Sequence, residues 1–209
     1  MARKLSARQL LHTSYDTFTP GGGWDGCIGQ VQTTGVWFVW GNSGNGKTST
    51  VVSLCRELAL GVGKVLYDSR EEGFSVTMQR LMRTHGMDKL GARFKVTDMA
   101  LDELDEELSR PRSPKVAVID SFQYMGFTYR SFRAFCQRHP GKLLVFVSRA
   151  DGRRPEGRAA VSAMYDASLK LWVEGYRAFS KGRYIGDTGE VTIWEEGAAR
   201  YWGANGTMI

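Results

Sequence analysis

Val36-Trp37-Phe38-Val39-Trp40-Gly41-Asn42-Ser43-Gly44-Asn45-Gly46-Lys47-Thr48 is an apolar run that breaks into a glycine-spaced octet. Thr48 to Ala59 then carries Val51, Val52, Leu54, Cys55 and Leu58 at helical spacing. The octet fits G-x-x-x-x-G-K-[ST], and a strand before it with a helix after it is the context that gives the pattern meaning. Glycines let the backbone curl until successive N–H groups and a helix N-terminus point at one anion. Lys47 is then placed to reach the β- and γ-phosphates of a nucleoside triphosphate, and the Thr48 hydroxyl to ligate Mg2+. Gly41, Asn42, Ser43, Gly44, Asn45, Gly46, Lys47, Thr48 and the adjoining Ser49 are therefore the expected ATP-binding residues.

Outward from this loop, further continuous apolar runs stand at Val65-Leu66-Tyr67, Val116-Ala117-Val118-Ile119 and Leu143-Leu144-Val145-Phe146-Val147. Runs that do not alternate with polar residues read as strands covered on both faces, as in a parallel sheet. Between them, Leu101, Leu104 and Leu108 share one helical face, with acidic residues at 98, 102, 103, 105, 106 and 107 that read as a solvated face. Strands alternating with helices give an α/β fold, a mainly parallel β-sheet sandwiched by helices. Leu169 to Val173 and Val191 to Trp194 flank Gly182, Gly186 and Gly189 and read as further strands joined by a turn-rich loop.

Two carboxylate positions complete a triphosphate site. Asp120 ends the strand Val116 to Ile119, at the sheet edge where a carboxylate can hold a Mg2+-bound water. Glu71 and Glu72 follow the strand Val65 to Tyr67 at the same edge, where one of them can orient or deprotonate attacking water. Thr48 and Asp120 are the expected metal-binding pair.

This order of motifs resembles the RecA-like P-loop ATPase core, particularly the RadA-type recombination ATPases and the DnaB-type helicases. The resemblance runs from about Thr17 to Trp202. It implies that Lys64 to Glu72 holds the second strand and catalytic glutamate, with Glu71 as the base. It makes Val118 to Gln123 the strand bearing the Mg2+ carboxylate, with Gln123 linking the nucleotide to a neighbouring loop. Phe179 to Val191 resembles the K-x-R hairpin that crosses a subunit interface in these families, which makes Lys181 and Arg183 catalytic groups for a neighbour's γ-phosphate. An arginine fork stabilises the charge developing on a transferred phosphoryl group. The same resemblance implies a homo-oligomer, ring or filament, with ATP between subunits. Ser148 and Arg149 stand where many relatives carry a glutamine or histidine. The zinc-binding cysteines, protease-like appendage and extra terminal domains of the larger relatives have no counterpart in residues 1–209, which read as one core domain with an N-terminal arm at 1–16.

Charge points to an anionic partner. Between 149 and 183 lie eight basic and four acidic residues, a net +4 of the total +6. Arg149, Arg153, Arg154 and Arg158 fall in a stretch, 149–158, that also holds Gly152, Pro155 and Gly157 and reads as a mobile basic loop. Mobile basic loops suit phosphate backbones, and the position resembles the DNA-binding loop of RecA-like proteins, so single-stranded DNA is the expected partner.

A chain of 209 residues with 42% hydrophobic and 24% charged residues can bury one core. No apolar run approaches membrane-spanning length, so no membrane partner and a cytoplasmic location are expected. Cys27, Cys55 and Cys136 show no paired spacing, and His12, His85 and His139 no ligand spacing. The basic arm at Arg3, Lys4 and Arg8 reads as a frayed helix. Two other readings remain for the motif set: a P-loop small-molecule kinase, and a non-catalytic loader or scaffold switched by ATP.

Overall fold

In a computed structural model, residues 4–203 are described, and Arg3 of the arm lies outside them. The chain opens with α1 (Ala7–Leu11), whose cap is Ser6 and whose Leu10 and Leu11 are exposed. A small hairpin, β1 (Thr17–Phe18) and β2 (Val31–Gln32), brackets α2 (Trp24–Ile28). Then come β3 (Gly35–Gly41), α3 (Lys47–Gly61), β4 (Val65–Ser69), α4 (Val76–Thr84), 3-10 turns over Met87–Arg93, β5 (Phe94–Thr97) and α5 (Leu101–Ser109). The second half holds β6 (Val116–Asp120), α6 (Tyr129–Arg138), β7 (Leu143–Asp151), β8 (Arg154–Pro155), α7 (Arg158–Asp166), β9 (Leu169–Glu174), β10 (Arg177–Ser180), β11 (Glu190–Thr192) and α8 (Glu195–Trp202).

The main sheet runs β11-β10-β9-β3-β7-β6-β4-β5, with β8 pairing β7 off this path. Every pairing from β9 to β5 is parallel, while β10 and β11 continue the sheet antiparallel. The glycine octet thus follows a strand with partners on both sides: Trp37 registers with Val145 of β7 and Leu169 of β9. One strand, β7, separates β3 from the Asp120 strand β6.

Side-chain alternation explains why the strand sequences read as continuous apolar runs. Trp37 and Val39 point into a core shared with Val51, Leu54 and Leu58 of α3, while Phe38 and Trp40 point into a second core shared with Phe132 and Phe135 of α6 and Ala163 of α7. The second core is aromatic, with the Phe132 and Phe146 rings 5.0 Å apart and edge-to-face. Helix starts follow local chemistry: the Ser75 hydroxyl accepts from Met78 N at 3.0 Å ahead of α4, and Thr128 accepts from Ser131 N at 3.1 Å ahead of α6.

Asp68 in β4 is wholly buried. Its Oδ1 accepts from Met99 N at 2.8 Å, and Oδ2 has no partner among the described residues. Burial pushes its carboxyl up to about 7, against the Met99 N–H and Arg70, which pull it down, and with Asp98 and Asp120 adding to the rise. An acid raised in the folded state takes up protons on folding, so its contribution is full below its ordinary 3.8 and lost as pH rises through about 7. Asp68→Asn keeps the acceptor for Met99 and removes this loss. The stability difference between variant and wild type is therefore expected to move in the variant's favour from pH 5 to pH 8, each kcal/mol showing as about 2–4 °C in thermal melts. A difference independent of pH would contradict it.

Candidate functional site

β3 closes on a glycine because the neighbouring strand leaves no room for a side chain: a Cβ on Gly41 would sit 2.2 Å from Val173 O of β9. Gly46 caps α3 at φ 87°, a conformation that favours glycine. Between them the loop is braced from within and from β9. Lys47 Nζ donates to Asn42 O at 3.1 Å, the Thr50 hydroxyl donates to Gly46 O at 2.9 Å, and Asn45 Oδ1 accepts from Gly175 N at 2.8 Å. Gly44, at φ 76°, faces open space. Gly41→Ala is accordingly expected to cost on the order of 3 kcal/mol by chemical denaturation, and Gly44→Ala only about 1–2 kcal/mol of left-handed backbone strain. Equal costs would refute the close β3–β9 approach.

The loop opens into a pocket of about 350 Å³ whose walls include Ser43, Lys47, Thr48, Glu71, Glu72, Asp120 and Tyr176. Asp120 arrives from β6 and Glu71 from just beyond β4; Arg70 N and Glu71 N donate to Asp120 O at 2.8 and 3.3 Å, locking the two strand ends together. The Tyr67 hydroxyl donates to Asp120 Oδ2. Burial lifts the Asp120 carboxyl to about 6; the Tyr67 bond and Lys47 pull it down, and Glu71 and Glu72 push it up. Burial likewise lowers Lys47, with Glu71 and Asp120 opposing and Arg149 reinforcing the drop. Three carboxylates and one ammonium therefore share one field, an excess of negative charge that a divalent cation would offset. Glu71 is exposed at the pocket mouth, while Asp120 is 6% exposed.

Thr48 and Asp120 fit Mg2+. Among the described residues no cluster of three or more His, Cys, Asp or Glu could hold a metal. Thr48 and Asp120, which line the same pocket, are the residues that could hold an ion completed by phosphate oxygens and water, the usual style of a nucleotide-bound Mg2+.

Several sequence-derived residues take other places. Ser49 contacts His85 Nε2 at 2.8 Å and also lines the pocket. Gln123 is not among the pocket-lining residues; its Nε2 donates to Ser148 Oγ at 2.8 Å and Glu156 O at 3.0 Å, and its Oε1 accepts from Arg149 N at 3.3 Å. It grips the basic stretch rather than the phosphate loop. That stretch, expected as a mobile loop, is an ordered hairpin: Asp151 pairs with Arg154 across β7 and β8, and Gly152 at φ 61° makes the turn. Trp40 Nε1 donates to Arg153 O at 3.1 Å and Asn42 Nδ2 to Gly152 O at 3.3 Å, which fastens the turn to the end of β3. A glycine opening a two-residue turn was the available signal. Arg149 lies 3.0 Å from Glu156 and over the Tyr124 ring at 5.8 Å; Arg153, Arg154 and Arg158 are exposed.

Lys181 and Arg183 do not line this chain's own phosphate pocket. Their loop is held against α2 by Gly186 N to Cys27 O and Thr188 N to Gly26 O, both at 3.0 Å. Tyr176, by contrast, was not anticipated. It lines the pocket, its N donates to Asn45 O at 3.2 Å, and a Cβ on Gly46 would sit 2.9 Å from its ring. No pattern in the sequence around it marked that approach.

A glycine loop after a central parallel strand, with acidic residues at or just past the ends of two strands on one side of it, matches a RecA-like α/β fold. No protein-family model matches the chain, and no curated protein matches it. Among solved structures, it is similar to the KaiC-like protein PH0186 from the hyperthermophilic archaeon Pyrococcus horikoshii OT3, with a TM-score of 0.57 at 15% identity over 85% of this chain and 99% of that one. At that identity the likeness speaks for the fold. Among the described residues, no helix is long and apolar enough to cross a membrane.

Proposed function

We propose that the chain binds Mg2+-ATP in the 41–48 cradle and hydrolyses it. The observation that carries this is the convergence of Lys47, Thr48, Glu71 and Asp120 on one pocket at the glycine loop. The N–H groups of the loop and Lys47 neutralise the phosphates, and Tyr67 fixes Asp120 for the metal. Mg2+, when bound, offsets the charge of the β- and γ-phosphate oxygens. Glu71, exposed at the mouth, orients the attacking water and accepts its proton. Tyr176 offers an aromatic face on the side of the pocket where β9 meets the loop.

We further propose a head-to-tail homo-oligomer, ring or filament, in which Lys181 and Arg183 complete a neighbour's pocket. Arg183 is the stronger of the two, because Lys181 also lines a cavity on the other face of the sheet. Single-stranded DNA is the partner best matched to the Arg149, Arg153, Arg154 and Arg158 hairpin, in the manner of a recombination or replication accessory ATPase in the cytoplasm.

The test is ATP turnover with and without Mg2+ and single-stranded DNA over a salt series. Turnover is expected to need Mg2+, to vanish in Lys47→Ala, and to rise with DNA. Four arginine–phosphate contacts at a slope of about −0.7 each weaken DNA binding about 50-fold from about 50 to 200 mM salt. Turnover that Lys47→Ala leaves intact would remove the hydrolysis reading. Turnover driven by a small acceptor instead of water would favour a kinase, and ATP binding without turnover a switched scaffold.

A further inference from the structure

We infer that the open cavity bordered by β9, β10, α7 and α8 is a base-stacking cleft for single-stranded nucleic acid. It has a volume of about 420 Å³ and lies on the sheet face opposite α3, within the usual size of a small-ligand site. The inference rests on the nucleic-acid part of the reading above and not on the hydrolysis part.

Its walls are aromatic. Trp40 of β3 and Trp172 of β9 form the floor with ring centres 5.7 Å apart, and Phe179 of β10 meets Trp202 of α8 edge-to-face at 5.9 Å. Its charged members are Arg153, Lys170 and Lys181 against Glu174, a net +2. Glu174 is turned into the wall, where Oε2 accepts from Trp172 Nε1 at 3.0 Å and Oε1 from the Tyr201 hydroxyl at 3.2 Å.

The polarity of the cleft matches that of a nucleotide within a strand. Trp40 and Trp172 are buried, whereas Arg153 and Lys181 are exposed at the rim. The Trp40 and Trp172 planes are tilted 49° to each other, so a base stacks on a single ring and leaves its phosphates at the cations, the combination of stacking platform and basic rim that grips single strands without reading sequence. A strand is favoured over a free nucleotide because the positive rim does not end at the cavity: Arg153 is the turn of the β7–β8 hairpin, and Arg154 next to it is also exposed. Phosphates on either side of the stacked base thus meet charge of the right sign.

The experiment uses the full chain without ATP and three probes: a fluorescein-labelled oligothymidylate of about 20 nucleotides, an abasic oligomer of the same length, and dTMP. The oligothymidylate is expected to bind at least about 5-fold tighter than the abasic chain, since stacking adds about 1–3 kcal/mol per base. Phe179→Leu keeps apolar bulk but removes a ring. It is expected to cut that preference about 5-fold or more while leaving abasic affinity unchanged, a split that loss of folding does not produce. Arg153→Ala is expected to weaken both oligomers. A 5-iodouracil strand is expected to crosslink to peptides bearing Phe179 or Trp202. Equal affinity for both oligomers overturns the cleft while leaving electrostatic DNA binding intact. Absence of binding by either overturns both. Saturation by dTMP as tight as by the strand makes the cleft a free-nucleotide site and overturns the assignment to a strand.

Discussion

Glu71→Gln is expected to lower ATP turnover by about 10²- to 10⁴-fold while leaving ATP affinity unchanged. Glutamine has the same shape and can still touch water, but it cannot accept a proton at neutral pH, so the loss isolates the chemical step from binding. Three features of the pocket argue for Glu71. Its backbone N–H is tied to Asp120 O, which sets its distance from the Asp120 carboxylate. Its charge is felt by both Lys47 and Asp120. It is exposed at the mouth, where water arrives, while Glu72 beside it is half-buried. Steady-state turnover together with binding of a fluorescent ATP analogue decides the matter. If the variant hydrolyses at the wild-type rate, Glu71 leaves the mechanism and Glu72, which lines the same pocket, takes its place.

Arg183→Ala is expected to lose turnover by about 10³- to 10⁵-fold, the range for an arginine that stabilises phosphoryl charge from a neighbouring subunit. Because Arg183 does not line its own chain's pocket, its loss is expected to be repairable in trans. Mixing Arg183→Ala with Glu71→Gln chains restores a complete site wherever the first presents its pocket to the second. In random head-to-tail mixing this is about a quarter of the interfaces. Two inactive proteins that regain activity on mixing would establish the interface; a mixture as inactive as its parts would remove Arg183 from it.

The glycine loop between β3 and α3 could be read from the sequence because it is local: eight consecutive residues carry it, and the flanking strand and helix announce themselves by period. The α/β class was legible for the same reason, since strands covered on both faces must be apolar throughout. Strand order was not. Val65–Tyr67, Val116–Ile119 and Leu143–Val147 are all apolar and parallel, and nothing in their composition says that β7 lies between β3 and β6. The helix α2 was also hidden, because Trp24, Cys27 and Ile28 stand among glycines, and only their packing under β10 and β11 brings them onto one buried helical face. Tyr176 escaped because its place depends on a backbone bond to Asn45 far away in sequence. The acidic run at 102–107 was read as a solvated face, yet Asp105 is held by Arg138 Nε at 3.0 Å and His139 Nε2 at 2.7 Å. Tertiary partners decided each of these.

The hairpin of β7 and β8 is fastened at two points: its turn hangs from Trp40 and Asn42 beside the cradle, and its base is held by Gln123, three residues past Asp120. A segment fastened beside the glycine loop on one side and just past Asp120 on the other is placed to feel what fills the pocket between them. Whatever factor ATP applies to the grip of this hairpin on its cargo, the cargo must return to ATP in equal measure, because the four binding steps close a thermodynamic square.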